Sequence, residues 1–176
     1  MPETRTGSKR QRLVIWDDPF EEAHAMSGMG GLEYMQAVKE GRIAVPPAWS
    51  LVGLRLAEID AGHAVTEIDP AEYHYNPFGK VQGGLLCVVL DATLGCAVHS
   101  LLPPSAGLVS LELNTGFFRP VSAGSGRMRC EGSIIHSGGR IIAAEARMTD
   151  GKGMLYARAT AICMVLDRDK EKAKQD

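Results

Sequence analysis

Residues 83–102 read GGLLCVVLDATLGCAVHSLL, and this stretch decides the fold. Apolar side chains occupy nearly every side of a helical wheel, so a helix here must be buried on most of its surface. Pro103 and Pro104 stop the helix, because proline lacks the amide that a helix interior requires. A single acid, Asp91, lies in the middle of this predicted helix.

The segments on both sides of this helix alternate apolar and polar residues with a period of two, which is typical of half-buried strands. These segments are residues 54–59, 63–68, 109–114, 127–134, 142–149 and 155–163. The connections at residues 137–139 and 150–153 have hairpin length, so the strands that they join are antiparallel. The order predicts an α+β domain with two strands, one buried helix and an antiparallel meander of four strands.

The predicted sheet covers only one side of the central helix. A helix that is apolar all round needs a second cover, and an identical subunit supplies one through a two-fold axis. The sequence therefore predicts a homodimer, or a homotetramer built from such dimers.

The chain divides into three parts. Residues 1–48 form an N-terminal leader that is loosely docked at first and then carries a short helix at residues 32–40, ended by Gly41. Residues 49–166 form the main domain, which we expect to begin with a strand region from about residue 51, after the break at Pro46 and Pro47. Residues 167–176 form a charged, solvated tail.

Composition excludes several classes of protein. The 176 residues are 45% hydrophobic and carry a formal net charge of −2, so nothing demands a basic nucleic-acid-binding face. No apolar run approaches the roughly 18 residues that a membrane span needs, and the apolar stretch after the basic start is too short for a signal peptide. We therefore expect a cytoplasmic protein without nucleic-acid or membrane partners.

The four cysteines lie in apolar surroundings without a CxxC pair and the five histidines are scattered, so we expect reduced thiols and no metal site.

The loop before the helix carries the informative motif. Residues 76–84 read NPFGKVQGG, and Asp91 follows inside the helix. This pattern resembles the hotdog-fold acyl-CoA thioesterases of the phenylacetic-acid-degradation (PaaI-like) type, which carry an Asn, then a His-Gly-Gly, and then a helical acid two turns later. Residues 111–120, LELNTGFFRP, resemble the third strand of that family, which ends in Arg-Pro.

The resemblance covers roughly residues 50–166. It implies a hotdog fold, in which an antiparallel sheet wraps around one long central helix, here with a helical N-terminal extension. It also implies hydrolysis of an acyl-CoA thioester to a free acid and CoA, with no cofactor apart from the CoA of the substrate. One position departs from the family: Gln82 stands where the His is usual, and although Gln donates and accepts hydrogen bonds, it does not titrate.

Two interpretations of Asp91 remain open. A buried carboxylate needs a partner, so Asp91 is either a structural residue bonded to a loop backbone or a catalytic carboxylate. A catalytic carboxylate can attack the thioester carbon or activate water.

Gly83 and Gly84 open the helix, where free backbone amides and the helix dipole favour a developing oxyanion. Tight helix packing is the alternative role for this pair. Asp91 lies eight residues beyond Gly83, about 12 Å along the axis at roughly 1.5 Å per residue. One helix therefore cannot place both groups on one carbonyl, and we predict two equivalent sites per dimer, each shared between antiparallel helices.

Further candidates surround these residues. Asn76 either bonds the thioester or the glycine loop, or serves only as a turn residue before Pro77. The resemblance puts Ser110 near the carboxylate, where it can hold a water molecule. The candidates for substrate binding are His74, Tyr75 and Phe78 in the acyl pocket and Arg119 and Arg140 on the CoA phosphates.

Two other functions on the same fold remain open. The first is a non-catalytic acyl-CoA-binding sensor, which the Gln82 departure allows. The second is a hydratase or dehydratase, for which His99 is the one histidine available on the helix. The sequence leaves aromatic, short and medium-chain acyl groups equally open.

Overall fold

The computed structural model describes residues 7–21, 28–104 and 106–167. Of the predicted N-terminal leader, residues 1–6 and 22–27 lie outside the described residues. The predicted charged tail lies outside them from residue 168 onwards.

The central helix follows the prediction closely. Helix α3 spans Gly83–His99 and ends three residues before the predicted residue 102. The chain tightens after His99, where the amides of Leu101 and Leu102 bond the carbonyls three residues earlier, at 3.1 and 2.9 Å. The following Pro103 then prevents the helix from resuming.

Six antiparallel strands form one sheet, as the hotdog resemblance implied. Their bounds are β1 Leu54–Asp60, β2 His63–Ile68, β3 Ala106–Phe117, β4 Met128–Gly138, β5 Ile141–Asp150 and β6 Leu155–Asp167. The order across the sheet is β1-β2-β4-β5-β6-β3, and α3 packs on one face against most of these strands. The two hairpins at β4–β5 and β5–β6 are antiparallel as predicted.

The predicted meander of four strands is wrong in its first strand. β3 pairs with β6 at the far edge, and β4 pairs with β2 instead of with β3. The physical reason is the connection at residues 118–127, which is too long for a hairpin and carries the chain back across the sheet. The meander is therefore limited to β4, β5 and β6, and β3 forms an edge of the sheet.

Two short helices lie between residue 30 and the sheet. Helix α1, Gly31–Lys39, matches the predicted helix, whereas helix α2, Pro47–Val52, occupies the segment that was predicted to break and then enter a strand. Pro47 sits in the first turn of α2, where its missing amide costs nothing, and Gly53 ends the helix at a φ of 73°. The two prolines therefore start a helix here.

Helix α1 docks on the far end of the central helix. The amide of Gly31 donates to the carbonyl of Leu102 at 2.8 Å. A Cβ at position 31 would lie 1.7 Å from the carbonyl oxygen of His99, so only glycine permits this approach. This contact holds helix α1 against the C-terminal end of the central helix α3.

All four cysteines are free thiols, three of them buried and Cys87 half-buried. Burial raises the pKa of Cys130 to about 12. None of the helices in the described ranges is long and apolar enough to cross a membrane. Nor do the described residues gather three His, Cys, Asp or Glu side chains that could hold a metal ion.

Candidate active site

Asp91 lies in the middle of α3 and faces the edge strand β3. The hydroxyl of Ser110 donates a hydrogen bond of 3.0 Å to Asp91 Oδ1. Cys163, the neighbour of Ser110 on β6, is fully buried. Burial raises the pKa of the Cys163 thiol and the charge of Asp91 raises it further, while the hydrogen bond with Ser110 opposes both effects. The thiol is therefore kept protonated.

One face of α3 follows β3 for two turns. Residues four apart on a helix share a face, and the residues of this face each meet a β3 side chain. A Cβ added to Gly83 would lie 3.6 Å from the ring of Phe117, Cys87 Sγ lies 3.6 Å from Thr115 Oγ1, and Asp91 accepts from Ser110 at 3.0 Å. Helix and strand are therefore antiparallel neighbours, and both Gly83 and Asp91 lie next to the edge strand β3.

The helix start presents free backbone donors. Gln82 is the N-cap residue, is exposed, and makes no capping bond with its side chain. The first amides of a helix have no carbonyl partner within it, and Gly83 and Gly84 supply the first two. A Cβ on Gly84 would meet nothing within 4 Å, so the approach to these amides is open. The arrangement can bind an anionic oxygen.

An open groove of about 440 Å³ leads to this helix start. It brings together four of the predicted site residues, Asn76, Phe78, Gly83 and Arg119. The other lining residues are Lys80, Val81, Leu86, Phe117, Phe118, Pro120 and Val121. Sequence analysis missed Lys80 and the phenylalanine pair, although the adjacent Phe117 and Phe118 before Arg119 were a visible signal. The groove is apolar with two cations, which suits an apolar acyl group beside a polyanionic carrier.

Asn76 shapes the loop at the groove. Its Oδ1 accepts hydrogen bonds from the amides of Phe78 at 2.9 Å and of Lys80 at 3.3 Å, which closes a tight turn. Phe78 projects from this turn and is 86% exposed. The turn contact uses the carbonyl oxygen of Asn76, and its amide nitrogen is the group left to meet a ligand.

His74 and Tyr75 do not line the groove; they hold the same loop through hydrogen bonds to the backbone on the side away from the groove. His74 is buried, its Nδ1 accepts from the amide of Ala71, and its Nε2 contacts the carbonyl of Val52, both at 3.0 Å. The hydroxyl of Tyr75 accepts a bond of 2.8 Å from the amide of Ala123. Both ring nitrogens of His74 are thus engaged by backbone.

The two predicted phosphate-binding arginines lie at opposite ends of the sheet. Arg119 lines the groove and donates to the carbonyl of Leu155 at 2.6 Å, at the start of β6. Arg140 lies in the β4–β5 turn, and its carbonyl accepts from Val165 near the end of β6. Ten strand residues separate these anchor points, roughly 33 Å at about 3.3 Å per residue. One chain therefore cannot place both arginines on the same CoA.

A single chain also keeps the carboxylate away from the oxyanion donors. Asp91 and Gly83 are separated by two helical turns, about 12 Å, whereas a reacting carbonyl needs both groups within about 3 Å. The groove lies at the Gly83 end and does not include Asp91.

Comparisons with known proteins match this architecture. The family pattern described as "Thioesterase superfamily" matches residues 78–157. A candidate esterase of Saccharolobus solfataricus is 26% identical over 140 residues, covering 80% of this chain and 97% of that protein. The 1,4-dihydroxy-2-naphthoyl-CoA hydrolase of Listeria monocytogenes is 23% identical over 99 residues, covering 56% of this chain and 79% of that enzyme.

Among solved structures, a phenylacetic acid degradation-related protein from Ralstonia eutropha JMP134 is 29% identical, with a TM-score of 0.68. The match covers 74% of this chain and 98% of that one. The resemblance predicted from the sequence is thus confirmed: residues 78–157 match the Thioesterase superfamily pattern, and the chain has the hotdog fold.

Proposed function

We propose that this protein hydrolyses acyl-CoA thioesters at two equivalent sites, each built from two antiparallel copies of the chain. Asp91 of one copy and the amides of Gly83 and Gly84 of the other act on the same thioester carbonyl. The observation that carries the proposal is the Asp91–Ser110 contact, which holds a carboxylate at the uncovered edge of the sheet.

The edge strand β3 supports the shared site. It is twelve residues long, pairs with β6 on one side only, and exposes Val109 and Leu111 by 40% and 55%. A long apolar edge strand attracts a second strand, and natural proteins cover such edges. Antiparallel pairing of two β3 strands around a two-fold axis would also lay the two α3 helices antiparallel. The Gly83 end of each helix would then meet the Asp91 level of the other.

The chemistry follows from these positions. In one route Asp91 takes a proton from water, and the resulting hydroxide adds to the thioester carbon. The tetrahedral oxyanion binds the amides of Gly83 and Gly84, and the intermediate then collapses and expels the CoA thiolate, which takes the proton from Asp91. In the other route Asp91 itself adds to the carbon and expels the thiolate, and water then cleaves the resulting anhydride. Neither route needs a cofactor beyond the CoA of the substrate.

Binding of the substrate would use the groove. The rings of Phe78, Phe117 and Phe118 would provide apolar contacts, and Arg119 and Lys80, which line the same groove, would bind the phosphates of CoA. Arg140 would reach the same CoA only from the second copy. The Gln82 side chain, free at the helix start, can donate a hydrogen bond to the thioester oxygen but cannot act as an acid or base. The cytoplasmic location stays a prediction from the sequence.

The test is CoA release from a panel of aromatic, short and medium-chain acyl-CoAs. Wild type is compared with Asp91→Ala, and the size of each is measured by light scattering. We expect turnover by a wild-type dimer or tetramer and none by an Asp91→Ala variant of the same size. Acyl-CoA binding without turnover in the wild type would overturn the hydrolase and leave the non-catalytic binding module as the function.

A further inference from the structure

The N-terminal segment, which lies outside the matched residues 78–157, contacts helix α2 and the turn that precedes the groove loop. Two arginines anchor it: Arg10 pairs with Glu72, and Arg12 contacts helix α2 and the short turn Glu72–His74. We propose that Arg12 is a positioning residue, which holds the turn Glu72–His74 and through it the start of the central helix. The inference rests on the proposed hydrolysis for its effect on activity.

Arg12 makes three contacts at one point. Its guanidinium donates to the carbonyls of Leu51 and Ser50 at 2.5 and 3.1 Å, and its carbon Cζ lies 4.1 Å from the centre of the Tyr73 ring. Those carbonyls belong to the last turn of α2, where helix carbonyls lack partners and positive charge is favourable. Arginine stacks on an aromatic face through its flat guanidinium, so a single side chain clamps α2 to Tyr73.

Tyr73 passes this constraint to the helix start. Its ring packs edge-on against His74 with centroids 4.2 Å apart, and His74 is 2% exposed and bonded to Val52 at the end of α2. The carbonyl of His74 accepts the amide of Gln82 at 2.9 Å. Gln82 is the N-cap residue directly before Gly83. An unbroken series of contacts thus joins Arg12 to the proposed oxyanion donors.

The position of those donors decides the rate. Amides stabilise an oxyanion only when they lie at hydrogen-bond distance from it, and a displacement of about 1 Å can cost about 100-fold in rate. Without Arg12, the turn Glu72–His74 keeps the His74 contacts and the Arg10–Glu72 pair but loses the guanidinium that joins Tyr73 to α2. We therefore expect a partial loss that affects kcat more than KM.

The experiment compares four variants of the full chain. Arg12→Ala removes all contacts of the guanidinium, Arg12→Lys keeps the positive charge but lacks the planar guanidinium, and Tyr73→Phe keeps the aromatic ring. Arg42→Ala is the control, because Arg42 is likewise an exposed arginine but pairs with Glu40 away from the groove. Steady-state kinetics with the best acyl-CoA are combined with amide hydrogen exchange of peptides that cover residues 82–86.

We expect Arg12→Ala to lower kcat about tenfold and to change KM less than threefold. The loss in kcat is smaller than the roughly 100-fold cost of a displacement of about 1 Å, because the other contacts of the turn remain. Amide exchange in residues 82–86 should be faster. Arg12→Lys should recover part of both effects, and Tyr73→Phe and Arg42→Ala should match wild type. Unchanged kcat and exchange in Arg12→Ala would overturn the positioning role. A wild type that hydrolyses no acyl-CoA would refute the proposed function instead, and the exchange measurement would still decide whether Arg12 holds the helix start.

Discussion

Ser110 and Asp91 are joined by a hydrogen bond of 3.0 Å from the serine hydroxyl to carboxylate Oδ1. The bond links the edge strand β3 to the middle of the central helix, so it fixes the carboxylate where a second copy can approach. It leaves Oδ2 as the oxygen that can face a thioester or a water molecule.

The first prediction separates the carboxylate from its orienting hydroxyl. Asp91→Asn keeps the shape and can still accept from Ser110, but it cannot act as a base or a good nucleophile, so kcat should fall by at least about 100-fold. Ser110→Ala removes one hydrogen bond to a charged group, worth about 1.5 kcal/mol, so its loss should be about tenfold. CoA-release kinetics measure both, and Glu145→Gln, an exposed acid on β5, is the neutral control. A Ser110→Ala variant as inactive as Asp91→Asn would contradict a purely orienting serine.

The second prediction concerns the β3 edge. Leu111 is 55% exposed on this strand, and Leu111→Lys would place two charges near the two-fold axis of a β3–β3 dimer. We expect monomers in sedimentation velocity and loss of turnover, because each site needs both copies. Ile135→Lys is the matched control, since Ile135 is also 55% exposed but lies on β4. A monomeric Leu111→Lys protein with full activity would argue against a shared site.

The third prediction concerns the departure from the family pattern at the helix start. Gln82→His restores the usual residue at an exposed position where the Gln side chain makes no capping bond, so the fold should tolerate it. Because an unperturbed His titrates near about 6.5, the variant should gain a change in kcat/KM between about pH 5.5 and 7.5 that wild type lacks. Parallel pH–rate profiles measure this difference. Identical profiles would indicate that this side chain does not touch the substrate.

The fourth prediction concerns a buried hydroxyl pair behind the helix. Thr93 Oγ1 donates to the carbonyl of Val89 at 2.7 Å, which uses its one hydrogen, so Thr66 must be the donor in the 2.6 Å contact between the two hydroxyls. Thr93→Val therefore leaves the buried Thr66 hydroxyl without a hydrogen-bond acceptor and should lower the unfolding free energy by about 1–3 kcal/mol, whereas Thr66→Val should lower it by less. Urea unfolding of both single variants and the double variant measures the difference. A larger cost for Thr66→Val than for Thr93→Val would reverse the donor assignment.

The fifth prediction concerns pH and stability. Burial lowers the pKa of His74 below its ordinary value and the charge of Arg12 lowers it further, while the bond to the Val52 carbonyl opposes them. The unfolded chain then binds the proton more readily, so this contribution to stability is full above about pH 6.5 and is lost as the pH falls through the lowered folded value.

We expect the unfolding free energy of wild type to fall from pH 7 towards pH 5 more steeply than that of His74→Gln. The glutamine can keep a contact with the Val52 carbonyl but does not titrate, and the other histidines are common to both proteins. Urea unfolding at several pH values gives the two slopes. A slope that stays the same in His74→Gln would show that His74 does not carry the effect.

Local patterns in the sequence determined most of the elements. The apolar run at residues 83–102 produced the central helix, because a helix without a polar side must be buried. The period-two segments produced strands, since alternation matches the two faces of a pleated sheet. The motif around Gly83 and Asp91 carried the resemblance to the hotdog thioesterases, and the match of residues 78–157 to the Thioesterase superfamily pattern confirmed that resemblance.

Tertiary structure decided the features that depend on distant residues. The place of β3 beside β6 depends on the route of the connection at residues 118–127, which no local period reports. Helix α2 was missed because Pro46 and Pro47 signal a break, and only the packing of Trp49 and Val52 shows that they begin a helix.

For the site residues as well, the sequence predicted which residues matter, and the tertiary structure decided what each one contacts. The motif predicted Asp91 as a site residue. Its hydrogen bond to Ser110, which is 19 residues further along the chain, forms only because β3 lies along the helix. His74 and Asn76 share one loop, and only the surrounding carbonyls and amides show that His74 braces the loop while Asn76 closes its turn. Sequence specifies local periodicity and residue chemistry; the partner of each polar group is set by long-range packing, because hydrogen bonds form only between groups that the whole fold brings within about 3 Å.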